Sequence, residues 1–201
     1  MITKNSRLNY ILREGLILAL LVTGILAARS TLADHYYVPS GSMEYTLIAG
    51  DRVFVDKKAF GLRVPFTQIE LTEGDPVRRG DIVIFDSPRD GKRLIKRIVA
   101  VGGDEVLIQN GHLAINGEWL ASPTDTGIEM IGGKRVTLNL ADGGGPEFAT
   151  RLAEGTVLAI GDHRGDSVDG RFFGPVAETE IYGRAVAVYY RRGSGFEWLK
   201  L

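Results

Sequence analysis

Two serine hydroxyls stand close together early in the chain. Ser40 and Ser42 flank Gly41 in the run Pro39 to Met43. A hydroxyl beside flexible, accessible main chain can act as a nucleophile. The same residue types also build ordinary turns, and hydroxyl-containing turns greatly outnumber nucleophiles. The stretch alone therefore favours a turn, and a nucleophile needs a partner elsewhere in the chain.

A candidate partner lies in the apolar run 93–101, which carries Lys96 and Arg97. In a strand these two side chains point to opposite faces, each among apolar neighbours, and the alternation does not decide which is buried. Arginine keeps its proton in proteins, whereas burial lowers the pKa of a lysine. Lys96 is therefore the credible base, provided that its pKa falls by about three units, which corresponds to about 4 kcal/mol. The alternative is a lysine whose ammonium reaches water.

A third polar stretch, residues 161–171, follows an apolar run and reads G-D-H-R-G-D-S-V-D-G-R. This density of hydrogen-bonding groups predicts a polar network. The spacing of its acidic residues differs from that of a calcium-binding EF-hand, and the three histidines of the chain show no paired spacing for zinc. The sequence therefore predicts neither a metal site nor a cofactor.

In this order the three stretches resemble bacterial signal peptidase I, the membrane-bound serine/lysine protease family that removes signal peptides. The resemblance rests on P-S-G-S-M at 39–43, R-G-D-I-V at 79–83, I-K-R at 95–97 and G-D-x-R-x-x-S-x-D-x-R at 161–171. It covers nearly the whole chain after the apolar amino terminus. It implies a serine endopeptidase that cleaves N-terminal signal peptides from exported preproteins.

The resemblance also implies roles for individual residues. Ser42 would be the nucleophile and Lys96 the general base, with the Ser40 hydroxyl and the Ser42 amide forming the oxyanion hole. Ser167 would orient Lys96. A supporting polar network would comprise Asp162, Arg164, Asp169 and Arg171. An extended substrate would pair with the chain beside 38–40 and 94–95, and the expected substrate-binding residues are Val38, Pro39, Met43, Leu47, Leu94 and Ile95.

Three residues depart from the pattern of the family. Tyr45 replaces the usual proline behind the nucleophile, Leu94 replaces a frequent tyrosine, and His163 replaces an asparagine. None of these changes removes a group of the serine/lysine dyad. We expect them to affect specificity more than activity.

The elements that must position these residues are short strands. Apolar, β-branched runs at 51–56, 81–86, 93–101, 156–160 and 182–190 predict core strands. The pairs Asn110-Gly111 and Asn116-Gly117 predict type I′ hairpins between 106 and 120. We predict a mainly β fold of the signal peptidase type, a coiled sheet or barrel. Its catalytic domain would comprise 36–103 and 156–201, with a β-rich subdomain inserted at 104–155.

The amino terminus is apolar. Three basic residues, Lys4, Arg7 and Arg13, precede an uncharged run over 15–28. This pattern predicts a single membrane anchor within 1–35 whose amino end is cytoplasmic, which places the catalytic domain on the outer face of the bacterial inner membrane. A cleaved signal peptide remains the alternative. The segment 60–66 is a second candidate for contact with lipid, and a packed hairpin explains it equally well.

Composition limits the possible partners. The formal net charge of -1 over 201 residues gives no basis for binding nucleic acid. The absence of cysteine excludes disulfides and thiolate metal sites. The expected partners are preproteins bearing signal peptides and the lipid bilayer. Two other functions stay open, a conjugative pilin-processing peptidase of the same superfamily and a membrane-tethered β-scaffold without activity.

Overall fold

The computed structural model describes residues 4–31, 33–61, 72, 74–122 and 127–201. The helices are α1 (Lys4–Thr31) and α2 (Gly170–Phe173), with a 3₁₀ turn at Glu178–Glu180. The strands are β1 (Ala33–Tyr37), β2 (Arg52–Asp56), β3 (Ile82–Asp86), β4 (Arg93–Ala100), β5 (Glu105–Gln109), β6 (His112–Ile115), β7 (Glu118–Trp119), β8 (Ile128–Ile131), β9 (Lys134–Thr137), β10 (Phe148–Arg151), β11 (Thr156–Ile160), β12 (Val176–Ala177), β13 (Ile181–Arg191) and β14 (Gly195–Lys200). Most of the predicted lipid-contacting segment 60–66 lies outside the described residues.

The main sheet has eight antiparallel strands in the order β1-β2-β13-β3-β4-β11-β12, with β14 paired to β13. The five strands predicted from apolar runs are its β2, β3, β4, β11 and β13. The prediction of a mainly β protein is confirmed. Strand β13 pairs with β2, β3 and β14, and irregularities in its register bend the sheet there. Strand β4, which carries Lys96, is the fifth of the seven strands in this order.

Both predicted hairpins form. The turn Asn110-Gly111 joins β5 to β6, and Asn116-Gly117 joins β6 to β7. The φ angles are 51° and 53° at the asparagines and 82° at both glycines. Two successive residues with positive φ define the type I′ turn, which asparagine and glycine tolerate best.

The region 104–155 forms sheets of its own. Strands β10, β5, β6 and β7 make a four-stranded sheet, and β8 pairs with β9. Its apolar side chains nevertheless share one core with the main sheet, because Val99 and Leu158 pack in the same cluster as Val106, Ile108 and Leu113. The division into a catalytic domain and an inserted subdomain stays a prediction.

Helix α1 precedes β1 directly. Its side chains at 9–25 are all exposed, including large apolar ones such as Leu16, Leu20 and Ile25. In the part of the chain that the structure describes, no helix is long and apolar enough to cross a membrane.

Candidate active site

The turn between β1 and β2 carries Ser42. Two main-chain hydrogen bonds stabilise this turn, from Glu44 N–H to Gly41 O (2.9 Å) and from Leu47 N–H to Met43 O (2.8 Å). The spacing of four residues puts Met43 and Leu47 on one side of the turn, where both side chains are fully buried. These two apolar side chains fix the turn to the sheet directly after Ser42.

Strand β4 presents Lys96 to this turn. Lys96 pairs with Val83 of β3, and its neighbours Ile95 and Ile98 pack into two core clusters. The Lys96 side chain is only 3% exposed, and Lys96 Nζ lies 2.5 Å from Ser42 Oγ. The structure therefore brings together the two residues that the sequence predicts as the dyad.

The environment of Lys96 favours its neutral form. Burial lowers its pKa to about 8, and the carboxylates of Asp169 and Asp162 oppose this shift without cancelling it. A neutral amine at this distance can accept the Ser42 proton. The geometry and the pKa together suit a general base that works near neutral pH.

Two donors surround the Ser42 oxygen. The exposed Ser40 side chain donates from Oγ to Ser42 Oγ at 3.5 Å, a long contact. Within the described residues the Ser42 N–H meets no hydrogen-bond acceptor. The assignment of Ser40 Oγ and the Ser42 N–H to an oxyanion hole stays a prediction.

The loop after β11 supports the turn through its main chain. His163 N–H donates to Ser42 O (3.2 Å), and a Cβ atom added to Gly161 would lie 2.4 Å from the same oxygen. Gly161 N–H in turn donates to Asp169 Oδ2 (3.0 Å). Ser167 is buried, and its Oγ forms no hydrogen bond with Lys96 in the described part of the chain, so its role in orienting Lys96 stays a prediction.

The predicted polar network divides into three buried ion pairs. Arg97 forms a two-pronged pair with Asp162 (2.9 and 2.8 Å), and Arg171 does the same with Asp169 (2.9 and 2.8 Å). Burial disfavours the Asp169 carboxylate, but Arg171 and the Gly161 amide hold its pKa below the ordinary value. None of these four charged residues forms a hydrogen bond with Lys96 Nζ among the described contacts.

The third pair crosses to the other sheets. Arg164 Nη2 lies 2.7 Å from Glu129 Oε2 of β8, and Arg164 Nη1 also donates to Gly111 O. Both side chains of the pair are buried completely. Arg164 therefore joins the main sheet to the region 104–155 and does not reach the dyad.

The expected substrate-binding residues differ in exposure. The side chains of Val38, Met43, Leu47 and Ile95 belong to one core cluster and are no more than 4% exposed. Their side chains pack in the core and expose almost no surface to a substrate. Leu94 is partly buried and Pro39 is exposed.

The comparisons with known proteins agree on one family. A sequence model described as "Signal peptidase, peptidase S26" matches residues 9–190. The chain belongs to this signal peptidase family. A signal peptidase I from Pseudomonas aeruginosa is 32% identical over 193 residues, and one from Pseudomonas fluorescens is 30% identical over 198 residues. Each alignment covers 82% of this chain and 67% of the relative.

A crystal structure of a signal peptidase I from Enterococcus faecalis is also similar. It is 27% identical in sequence and covers 55% of this chain and 97% of its own, with a TM-score of 0.39, which is too low for a comparison of the folds. Membership of the signal peptidase family therefore rests on the sequence comparisons.

Sequence reasoning missed several polar residues at this signal peptidase site. Arg97 was considered only as a base, yet it pairs with Asp162 and donates to Thr46 Oγ1 (3.1 Å) in the Ser42 turn. Glu129 was overlooked, although an acidic residue inside the apolar strand I-E-M-I signals a buried partner. The described residues contain no group of three or more His, Asp or Glu side chains that could bind a metal ion.

Proposed function

We propose that the protein is a membrane-associated serine endopeptidase that removes signal peptides from exported preproteins, with Ser42 as nucleophile and Lys96 as general base. The observation that carries the proposal is the 2.5 Å contact between Ser42 Oγ and the buried Lys96 Nζ, whose pKa is lowered to about 8. Membership of the signal peptidase family supplies the class of substrate.

The reaction follows from this contact. Neutral Lys96 takes the Ser42 proton while Ser42 Oγ attacks the scissile carbonyl, and the lysinium then gives the proton to the departing amine as the C–N bond breaks. The neutral Lys96 amine next accepts a proton from the water that hydrolyses the acyl-enzyme, and it returns this proton to Ser42 Oγ as the ester bond breaks. Ser40 Oγ and the Ser42 N–H stabilise the oxyanion, and each such donor contributes about 3 kcal/mol in other proteases.

The substrate binds as an added strand. Strand β4 pairs with β11 only from Arg97 onward, so the main chain of Leu94 and Ile95 is open on that side. On the facing segment, Val38 N and O already bond to Asp51 and Gly50, which leaves the Pro39 carbonyl for the substrate. Because core side chains form the floor of this site, it is shallow and accepts small side chains before the cleaved bond.

The chain contacts lipid at two places. Helix α1 exposes its side chains throughout 9–25, and most of them are apolar. An aromatic patch, defined as Phe54, Tyr190, Phe196 and Trp198, lies on β2, β13 and β14, with ring centroids of the pairs Tyr190–Phe196 and Phe54–Trp198 5.4 and 6.0 Å apart. Phe196 and Trp198 are exposed, and the other two are partly buried. Aromatic side chains of this kind collect at the bilayer surface. We propose a single-pass anchor with the catalytic domain outside the inner membrane.

The dyad is tested with purified protein in detergent and a precursor that carries Ala-X-Ala before the cleavage site. Wild type should release the mature protein, whereas Ser42→Ala and Lys96→Met should abolish release. Lys92→Met is the matched control, because Lys92 is an exposed lysine in the β3–β4 connection. Undiminished cleavage by both dyad variants contradicts the assignment, and failure of wild type to cleave favours the scaffold.

The anchor is tested separately by flotation with phospholipid vesicles and by protease protection in cells. The full chain should float with the vesicles and be digested from the outer face of the inner membrane. The variant Phe196→Ser/Trp198→Ser should bind vesicles more weakly while it keeps its activity in detergent. Digestion from the cytoplasmic face would overturn the orientation.

A further inference from the structure

Glu44 lies against the residue that precedes the nucleophile. A Cβ atom added to Gly41 would lie only 2.7 Å from Glu44 Oε1, so the carboxylate folds back over the turn. Glu44 Oε2 accepts a hydrogen bond from Asn139 Nδ2 (3.3 Å). The position of this carboxylate is therefore tied to the backbone at Gly41 and Ser42.

The His163 ring lies beside the Glu44 carboxylate. The His163 side chain is buried, with Nδ1 3.9 Å from Glu44 Oε2 and 3.5 Å from Asn139 Nδ2. On its other side Nε2 lies 2.8 Å from Asp142 Oδ2, in the connection between β9 and β10. The ring thus joins the Ser42 turn to a segment of the neighbouring sheets.

One tautomer of neutral imidazole satisfies both contacts. The Nε2–H donates to Asp142, and Nδ1 accepts from the Asn139 amide, whose other contact is Glu44. Neither ring nitrogen forms a hydrogen bond with Ser42 or Lys96 in the described part of the chain. The ring is therefore placed to position groups and not to transfer the proton of the reaction.

We propose that His163 is a positioning residue for Ser42, which acts through Asn139 and Glu44. The inference rests on the proposed function and deepens it, because it concerns the same nucleophile. The His163 main chain already donates to Ser42 O, so this residue supports the turn twice, by its backbone and by its ring. The backbone contact survives a change of side chain, which allows the contribution of the ring to be measured alone.

The test measures kcat and KM of the full chain in detergent on the Ala-X-Ala precursor. His163→Ala should lower kcat about tenfold, which corresponds to about 1.4 kcal/mol, and change KM less than about twofold. His163→Asn places an amide oxygen near the Nδ1 position, where it can accept from the Asn139 amide, and should recover most of the loss. Glu44→Gln should lower kcat as well, and the double variant should be no slower than His163→Ala, since both changes break one chain of contacts.

His35→Ala is the matched control, because His35 is an exposed histidine of β1. Unchanged kcat in His163→Ala, an equal loss in His163→Asn, or additive losses in the double variant His163→Ala/Glu44→Gln would each overturn the proposal. Thermal melting separates a folding defect from a catalytic one. If His163→Ala does not fold, His163→Phe, which keeps a ring without nitrogen atoms, takes its place in the same comparison with Glu44→Gln.

The result is distinguishable from failure of the proposed function. If wild type does not cleave the precursor, the proposed function fails and the inference fails with it. If wild type cleaves, Ser42→Ala does not, and the His163 and Glu44 variants match wild type, only the inference fails.

Discussion

The catalytic capacity of this site depends on one desolvated amine. Lys96 lies inside a strand whose neighbours Ile95 and Ile98 are core residues, so the ammonium form loses its hydration. The carboxylates of Asp162 and Asp169 limit the shift of its pKa, but each is already paired with an arginine. The result is a pKa of about 8, which leaves a useful fraction of free base near neutral pH.

The rate of cleavage should therefore follow the neutral fraction of Lys96. Because the neutral amine of the free enzyme is the active form, kcat/KM should rise with pH, from about one tenth of its maximum at pH 7 to about nine tenths at pH 9. The measurement is a pH–rate profile for wild type with Lys92→Met as control. A rate that continues to rise past pH 10, near the pKa of about 10.4 of a solvated lysine, would contradict a desolvated base.

Gly161 is the second residue on which Ser42 depends. A Cβ atom at this position would lie 2.4 Å from Ser42 O and 2.3 Å from Ser167 Oγ, distances that force the backbone of the turn to move. A nucleophile displaced by about 1 Å can lose about 100-fold in rate. We expect this loss in kcat for Gly161→Ala. Gly24→Ala, where a Cβ meets nothing within 4 Å, is the matched control; equal rates for both variants would show that the turn adapts.

At the scale of elements, local patterns predicted the strands but not the contacts between them. Alternation of apolar residues marks β4 and β11, and Asn-Gly marks the two hairpins, because each signal lies within a few residues. Which residues face each other across two strands depends on the register in which the strands pair. The ladder between β4 and β11 shifts between Leu158 and Ala159, so counting along the strands does not reveal that Asp162 faces Arg97.

The same limit applies to the site. Ser42 and Lys96 were predicted because each is the chemically suitable residue in its own stretch. The sequence also grouped Arg164 with the dyad, since it lies in the same motif as Ser167. The structure instead pairs Arg164 with Glu129, 35 positions away, a contact that depends on how two sheets pack.

The Arg164–Glu129 pair should therefore support stability more than catalysis. Removing the carboxylate leaves the Arg164 charge buried without its partner, which costs about 3–5 kcal/mol. Glu129→Ala should lower the free energy of unfolding by about this amount in urea, while kcat per folded molecule stays close to that of wild type. Glu118→Ala, an exposed position on β7, is the control. A large loss of kcat in Glu129→Ala without a loss of stability would show instead that the Arg164–Glu129 pair supports catalysis.

At the scale of the whole molecule, the question is whether the main sheet can exist without the region 104–155. The sequence suggests an inserted unit, and the sheet topology alone would allow its removal. Strands β4 and β11 are antiparallel neighbours with Ala100 paired to Leu158, so a short linker could join them. The packing indicates the opposite, because side chains on these two strands share one core with side chains of the insertion. This core contains Val99, Leu158 and Ile160 of the strands and Val106, Ile108 and Leu113 of the insertion.

Replacing 104–155 with a short glycine-serine linker should therefore abolish cooperative folding. The deletion exposes the apolar faces of β4 and β11 to water, and it removes both Glu129 and the Gly111 carbonyl from the buried Arg164. We expect a variant that aggregates or lacks near-ultraviolet circular dichroism, measured beside wild type by size exclusion and thermal melting. Because the linker spans strands that are already adjacent, chain strain does not explain such a failure. A monomeric deletion variant that melts cooperatively and cleaves the precursor would instead establish the main sheet as an autonomous catalytic domain.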